Sequence, residues 1–218
     1  MKAVKTADEN IFEANAFILA TGHSARDIYH LLDQKKLLID LKPFALGVRI
    51  EHPQQLIDQI QYHSFSGAAS DKLPPASYSL VTQANQRGVF SFCMCPGGII
   101  APASTAPDEL VVNGWSPSKR NNPYANSGIV VTVEEKDVQA YKKHGALAAM
   151  YFQESIERKA YAAGGGQFVA PAQRMVDFAE NKTSSVLPGC SYLPGVTATS
   201  LKAVLPAFIY RTLQEGLI

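Results

Sequence analysis

The stretch FILATG at Phe17–Gly22, followed by HSARD at His23–Asp27, is the most informative part of this sequence for the fold. Its apolar first half is typical of a buried strand, and the closing glycine permits a tight turn. Ser24 is a candidate N-cap for a helix with Asp27 in its first turn. Because ligands of open α/β sheets gather at the carboxyl ends of strands, the turn is a candidate cofactor contact. An ordinary strand-to-helix turn is the alternative.

Composition excludes several classes of protein. The chain has 218 residues, of which 46% are hydrophobic and 18% charged, as expected for a globular protein with a sizeable core. A net charge of +1 spread along the chain gives no basic surface for nucleic acid. No apolar run approaches the roughly 18 residues of a membrane span. The odd number of cysteines, three, favours a reducing compartment, so we expect a cytoplasmic protein.

Strand patterns dominate the first part of the chain. A hairpin is predicted from Lys2–Lys5 and Ile11–Ala14, and a helix from Ser24–Leu37. Alternating apolar residues in Phe44–Ile50 predict a half-buried strand with Arg49 and Glu51 on its polar face, and Pro53 opens a helix. Ser64–Pro75 is predicted to be a loop. Further strands are predicted at Tyr78–Gln83, Val89–Phe92, Glu109–Asn113 and Gly128–Val133.

The second half turns helical from about residue 135. Helices are predicted at Ala146–Ala163, at Pro171–Glu180 and at Thr199–Gln214, the last split by Pro206. Gly164–Gly166 follows the first of these helices and predicts a helix stop. Strands grouped before helices favour an α+β fold with a mixed, largely antiparallel sheet and a helical second half.

Two thiols stand two residues apart in Cys93-Met94-Cys95. In an extended strand both would point to the same side. A zinc site would need a second pair of ligands, which His52, His63 and Cys190 do not supply, so no metal site is expected. A redox dithiol and a pair of buried structural thiols both stay open.

A second candidate site consists of Arg49, Glu51 and His52. A guanidinium can clamp a carboxylate or a carbonyl in bidentate fashion, and Glu51 is expected to hold Arg49 in place. His52 titrates near neutral pH and can move a proton. A surface ion pair is the alternative.

A third candidate lies between Asn113 and Asn126. Its turn-forming residues predict a loop between two strands. The lone tryptophan, Trp115, lies in this loop, and together with Arg120 and Asn126 it would suit a planar ligand through stacking and amide hydrogen bonds.

Three segments, taken in order, carry a resemblance to a known family. They are KPFALGVRIEHP at Lys42–Pro53, FSFCMCPGG at Phe90–Gly98, and Asn113–Ser127 with its NGWS start. Together with the ATG turn they resemble the bacterial family of uncharacterised FAD-dependent dehydrogenases. The similarity runs from about Lys2 to the end of the chain.

The resemblance implies a domain organisation. Residues 1–23 would be a remnant of an FAD-binding α/β domain ending in the Ala-Thr-Gly turn, and residues 24–218 an inserted, substrate-side domain. The Gly-x-Gly-x-x-Gly unit that cradles the flavin's pyrophosphate is missing from this sequence. We therefore expect a middle portion of a longer protein that is inactive alone, because it lacks the main FAD site. Its expected partners are the remainder of its own FAD-binding domain and a small-molecule substrate.

The resemblance also assigns residues to the site. Cofactor contacts would come from Thr21, Gly22, His23 and Arg26 beside the turn, and from Gly97 and Gly98. Cys93 and Cys95 would face the flavin or substrate with His52 as proton carrier, and Arg49, Asn113, Trp115, Arg120 and Asn126 would contact substrate. The competing hypothesis is a non-catalytic binding module that shares the insertion fold.

Overall fold

The computed structural model describes residues 2–63 and 73–218. Most of the loop predicted at Ser64–Pro75 lies outside the described residues. Internal contacts divide the chain into two units, Met1–Ile39 and Asp40–Ile218. The roles predicted for residues 1–23 and 24–218 stay predictions.

The first unit is small. Strand β1 (Ala3–Lys5) pairs antiparallel with β2 (Ile11–Glu13), and the turn is closed by a 3.0 Å hydrogen bond from Thr6 N to Asn10 O. This confirms the predicted hairpin. Helix α1 (Arg26–Gln34) lies within the predicted helical segment and carries Asp27 in its first turn.

The strand predicted at Phe17 is wrong. Residues 17–22 form no regular structure, and Ile18 and Leu19 are 93% and 63% exposed. A run of three apolar residues forms a strand only when a partner strand satisfies its backbone, and no described strand pairs with it. Ser24 is likewise not the helix cap, because Ala25 occupies the N-cap position and no side-chain hydrogen bond closes it.

The main sheet of the second unit has four antiparallel strands. They are β3 (Phe44–Pro53), β4 (Val81–Ala84), β5 (Arg87–Cys95) and β8 (Tyr124–Val133), in the spatial order β3-β8-β5-β4. On β8, Gly128 lies opposite Arg49 and Asn126 lies opposite Glu51. The pairing of β5 with β8 is interrupted by a bulge between Phe92 and Cys95.

Shorter elements flank this sheet. Helix α2 (Gln54–Tyr62) follows β3 directly, with Pro53 at its N-cap as predicted. Strands β6 (Ile99–Pro102) and β7 (Val112–Trp115) form a separate antiparallel pair. The strand predicted at Glu109–Asn113 therefore begins later than expected, and Asn113-Gly114 lies within a strand instead of a turn.

The second half is mainly helical. A 3₁₀ segment (Glu135–Leu147) leads into α3 (Ala148–Gly164), and Gly165 closes that helix in a left-handed conformation, as predicted. The elements that follow are β9 (Ala170–Ala172), α4 (Met175–Ala179), β10 (Val196–Ala198), a 3₁₀ turn (Leu201–Ala203) and α5 (Ala207–Gly216). Pro206 separates the last two, as predicted. The short parallel pair β9 and β10 was not predicted.

The core lies between one face of the main sheet and helices α3, α4 and α5. Val131, Val133, Ile209 and Leu213 are fully buried there. Burying each such side chain is worth about 1.5–3 kcal/mol, which fixes the sheet against the helices. Val48 and Ile50 pack toward this core, so the intervening Arg49 points to the opposite face.

The predicted fold class, α+β with mostly antiparallel sheet, is confirmed. Within the described residues no helix combines the length and apolar character that crossing a membrane requires.

Candidate functional site

Three strands of the second unit each bring one polar group toward Arg49 on a fourth strand. Arg49 is on β3, the Cys93 carbonyl on β5, Asn113 on β7 and Asn126 on β8. Because 77 residues separate Arg49 from Asn126, only the pairing of β3 with β8 makes them neighbours. We call these four residues the Arg49 centre.

The guanidinium of Arg49 is held by three oxygen atoms. Nη1 donates to Asn126 Oδ1 at 2.6 Å and to Cys93 O at 3.4 Å, and Nη2 donates to Asn113 Oδ1 at 3.2 Å. A guanidinium has five N–H donors. The contacts formed within residues 2–63 and 73–218 therefore engage three of them.

Asn126 is the buried member of the centre. Its side chain is fully buried, and its Nδ2 has no hydrogen-bond partner among the described residues. The orientation of its amide follows from Arg49, since only an oxygen can accept from Nη1. The Nδ2–H groups of Asn126 are thus buried beside the positive charge of Arg49 without a partner among the described residues.

Glycine at position 114 makes room for this arrangement. A Cβ on Gly114 would collide with Arg49 Nη1 and Asn126 Oδ1. Gly114 N also donates to Asn113 Oδ1 at 2.8 Å, which fixes the amide that receives Nη2. Sequence analysis noted this glycine only as a turn former.

The expected contact between Glu51 and Arg49 is wrong. Glu51 Oε1 instead accepts from Ser191 N at 2.8 Å, and Oε2 accepts from Ser191 Oγ. Ser191 Oγ in turn accepts from Ile100 N at 2.8 Å. Arg49 and Glu51 lie on the same face of β3, yet Glu51 accepts hydrogen bonds from Ser191, which is 140 residues away in the chain. No local signal in the sequence marks Ser191 for this role.

Cys93 and Cys95 do not share one side of an extended strand. Cys93 lies in the bulge of β5 with a positive φ of 51°, and its side chain is exposed whereas that of Cys95 is buried. The bulge adds a residue to the strand and so reverses the expected alternation. Cys95 Sγ donates to Cys93 O at 3.4 Å, the same carbonyl that receives Arg49.

The two thiols therefore differ in chemistry. Burial raises the pKa of the Cys95 thiol, and the positive charge of Arg49 only partly opposes this change. Cys95 is consequently a thiol rather than a thiolate at neutral pH. All three cysteines are free, and the described residues contain no group of three or more His, Cys, Asp or Glu side chains placed to hold a metal ion.

The loop at Pro96–Gly98 is shaped by its own chain. Gly97 has a φ of 53°, and a Cβ there would collide with the backbone of Arg120. Gly97 N donates to Gln54 Oε1 at 2.7 Å, and Gly98 N donates to Tyr124 O at 2.9 Å. Both glycines are buried, and both amides already have partners. Their predicted contact with a cofactor stays a prediction.

Gln54 is a buried neighbour of the Pro96–Gly98 loop that was not predicted from the sequence. Its buried side chain joins three segments: Oε1 accepts from Gly97 N, and Nε2 donates to Asp58 Oδ1 at 2.8 Å and to Ala76 O at 3.0 Å. A buried glutamine at the start of α2 thereby fixes the loop that follows β5. The sequence offers no pattern that distinguishes it from the neighbouring Gln55.

His52 pairs with a tyrosine. The hydroxyl of Tyr78 lies 3.2 Å from His52 Nε2. Burial lowers the pKa of His52, so its imidazole is neutral at pH 7. Burial also raises the pKa of Tyr78, against smaller opposing effects of Ser127 and Arg49. The pair can therefore share a proton in a hydrogen bond without carrying charge. Its predicted catalytic role stays a prediction.

The remaining predicted residues fall into two groups. Trp115 lies two residues after Asn113 and is 60% exposed, and the exposed Arg120 has its backbone packed against Gly97. Phe92, which was not a predicted site residue, precedes Cys93 and is also 60% exposed. Thr21, Gly22 and His23 are exposed and Arg26 half-buried, and all four belong to the first unit. Gly22 has the left-handed conformation (φ 81°) expected of a turn glycine.

Comparison with known proteins gives a family. A family model described as "FAD-dependent protein, C-terminal domain-like" matches residues 43–218, a range that lies within the second unit. An uncharacterized protein of Clostridium beijerinckii is 42% identical over 209 residues, which is 93% of this chain. The chain spans 38% of the length of that relative.

The matched range contains the whole Arg49 centre, the Pro96–Gly98 loop and the His52–Tyr78 pair. These features therefore belong to a flavoprotein-related domain. On the extent of this match, the chain belongs to the family of FAD-dependent proteins with this C-terminal-like domain.

Proposed function

We propose that this chain supplies the substrate-side domain of a FAD-dependent oxidoreductase, a dehydrogenase of unknown substrate. In this proposal residues 24–218 form the inserted domain and residues 1–23 belong to the FAD-binding domain. The family membership supports FAD as the cofactor. The greater length of the relative supports a separate part that binds most of the flavin. The odd number of free cysteines favours a cytoplasmic location.

The pyrophosphate of FAD does not fit the glycine loop of this chain. A pyrophosphate needs backbone N–H groups without other partners, usually at a helix N-terminus. Gly97 N and Gly98 N already donate to Gln54 and Tyr124. The space beside Gly97 is also filled by the Arg120 backbone. We therefore expect the chain alone to bind FAD weakly or not at all.

The Arg49 centre is the observation that carries the proposal. A half-buried guanidinium with unengaged N–H donors suits a carbonyl or carboxylate oxygen of a ring or substrate. The exposed indole of Trp115 follows the centre on β7 and offers a flat apolar surface. FAD would supply the electron transfer when bound. The chain's own residues would hold the substrate's oxygen at Arg49 and a proton at His52 Nε2.

The test compares this chain with the complete protein encoded by its gene. Both are purified, and flavin is measured by absorbance and after denaturation. We expect FAD in the complete protein and none in the 218-residue chain. The Arg49→Lys variant of the complete protein should retain FAD yet slow flavin reduction by substrate, because lysine replaces the planar fork by a point charge. Arg174→Lys, which changes an exposed arginine elsewhere, is the matched control.

A second experiment addresses the thiols. In the complete protein, the double variant Cys93→Ser and Cys95→Ser should change the rate of flavin reduction if the thiols face the ring. Unchanged kinetics would assign both thiols a structural role. A complete protein without bound flavin would contradict the oxidoreductase proposal and favour a non-catalytic binding module.

A further inference from the structure

The groups that hold Arg49 carry no charge. Every ion pair found in residues 2–63 and 73–218 involves a basic residue other than Arg49. Asn113 and Asn126 accept from its two terminal nitrogens where an aspartate of the same shape would form an ion pair. The guanidinium therefore keeps its full positive charge while its position is fixed.

The fold tolerates a cost for this arrangement. Asn126 Nδ2 is buried without a described partner, and an unsatisfied buried donor costs about 1–3 kcal/mol. An aspartate at position 126 would remove that donor and neutralise Arg49. The amide instead preserves an orienting oxygen and leaves the positive charge available.

The unengaged donors have a defined geometry. Nη1 already makes two contacts and Nη2 makes one, and Arg49 also interacts with the Cys95 thiol. In the described parts of the chain no oxygen atom accepts from Nε–H or from the second Nη2–H. The edge of a guanidinium formed by Nε and Nη2 matches the two oxygens of a carboxylate. A single fixed positive charge suits a monoanionic group.

From these observations we propose that the Arg49 centre binds the carboxylate of a small organic acid, and that this acid is the substrate of the domain. The second half of this statement rests on the proposed function. The exposed side chains of Phe92, next to Cys93 in the chain, and of Trp115, two residues after Asn113 on β7, favour an acid with an apolar or aromatic body. Benzoate combines both features and is a suitable probe.

The experiment titrates the 218-residue chain with sodium benzoate at constant ionic strength. Binding is followed by ¹⁵N–¹H NMR of the backbone and of the Arg49 Nε–H group. Benzamide is the neutral control, and inorganic phosphate is the control for a general anion site. We expect saturable shifts of Arg49 Nε–H and of Asn113–Trp115 with benzoate, no such shifts with benzamide, and weaker binding of phosphate.

Two variants test the role of the charge. Asn113→Asp places a carboxylate against Nη2 at an exposed position, where the fold tolerates it, and should weaken benzoate binding about tenfold or more. Arg49→Lys should weaken it similarly. Arg174→Lys should leave the affinity unchanged. The backbone spectrum of each variant shows whether it is folded.

Three results would overturn the proposal: no saturable benzoate binding, equal binding of benzamide, or unchanged affinity in a folded Asn113→Asp chain. Tighter binding of phosphate than of benzoate would indicate a phosphate site and not a carboxylate site, and would also overturn the proposal. Because this titration involves no flavin, its failure is distinct from a failure to find FAD in the complete protein.

Discussion

Two arginines on the same antiparallel sheet have opposite surroundings. Arg87, at the start of β5, donates to both carboxylate oxygens of Asp137 at 2.8 and 2.6 Å, and its guanidinium lies 4.6 Å from the ring centre of Phe208. Arg49, on β3, donates to two side-chain amide oxygens and one backbone oxygen among residues 2–63 and 73–218. The Arg87 charge has a carboxylate partner, whereas the described part of the chain forms no ion pair with Arg49.

The difference shows what each arginine does. Arg87 joins the sheet to the 3₁₀ segment that carries Asp137, and it also donates to Thr132 O at 3.0 Å. The charge of Arg87 therefore contributes to the stability of the fold. Arg49 joins β3, β5, β7 and β8 through neutral groups, which fix its position without an ion pair among the described residues, as the proposed carboxylate site requires. Substitutions at each centre can break or sharpen this contrast.

The largest effect is expected at the neutralised pair. Asp137→Asn should lower the free energy of unfolding by about 3 kcal/mol, because it leaves the mostly buried Arg87 charge without its partner. Chemical denaturation at pH 7 measures this. Glu180→Gln, which breaks the exposed pair with Lys182, should cost less than about 0.5 kcal/mol. Equal losses in both variants would contradict the distinction.

A smaller loss of stability is expected beside Arg49. Gly114→Ala should destabilise the chain by about 1–3 kcal/mol, since the added methyl group displaces the guanidinium. It should also abolish benzoate binding. Gly88→Ala on β5 is the control, because there the nearest atom is Thr132 Oγ1 at 3.3 Å, the end of a side chain. If the Gly114→Ala chain kept wild-type affinity, Arg49 would not need its present position.

The two centres should also respond differently to acid. Burial alone would raise the pKa of Asp137, but Arg87 and the Glu134 N–H hold that pKa below its usual value of 3.8. The stabilisation is therefore complete above pH 3.8 and is lost as the pH falls through the lowered value.

Unfolding curves of the wild-type and Asp137→Asn chains, measured between pH 7 and pH 3, should show a stability difference that narrows in acid. The Arg49 centre contains no carboxylate that titrates, so the Asn126→Ala chain should differ from the wild type by a constant amount over the same range. A constant difference for Asp137→Asn would exclude the expected linkage.

The smallest effect has the opposite sign. Asn113→Asp should stabilise the chain by up to about 0.5 kcal/mol, because it adds an ion pair at an exposed position. Thermal unfolding at low and high salt measures this gain, which salt should reduce. The same substitution should weaken benzoate binding about tenfold or more. A destabilised Asn113→Asp chain would indicate that the carboxylate does not pair with Arg49.

Local patterns were sufficient to predict much of the fold and one part of the site. Alternation in Phe44–Ile50 correctly placed Arg49 opposite the core, and Gly165 and Pro206 ended helices where expected. Sequence neighbours gave the wrong partner for Arg49, however. Its true partner, Asn126, depends on the register between two strands, which residue spacing alone does not determine.

Two further predictions failed for reasons that are not local. The apolar run at Phe17 could form a strand only with a partner, which the described residues do not provide. The alternation of Cys93 and Cys95 was reversed by a bulge, and its left-handed residue is a cysteine rather than the glycine or asparagine that would have signalled it. The roles predicted for both thiols remain to be tested.

The Asn113-Gly114 pair has a consequence for how the protein ages. Gly114 N lies 2.8 Å from Asn113 Oδ1. Attack of this nitrogen on the side-chain amide carbon of Asn113 expels ammonia and closes a succinimide ring, and water then opens the ring to leave an aspartate or an isoaspartate in place of the asparagine. Such a loss at one exposed residue would give Arg49 an internal counter-ion without any change in the gene. A stored preparation would then contain folded molecules in which the proposed carboxylate site at Arg49 no longer binds its ligand. Mass spectrometry would detect these molecules as a slightly heavier species.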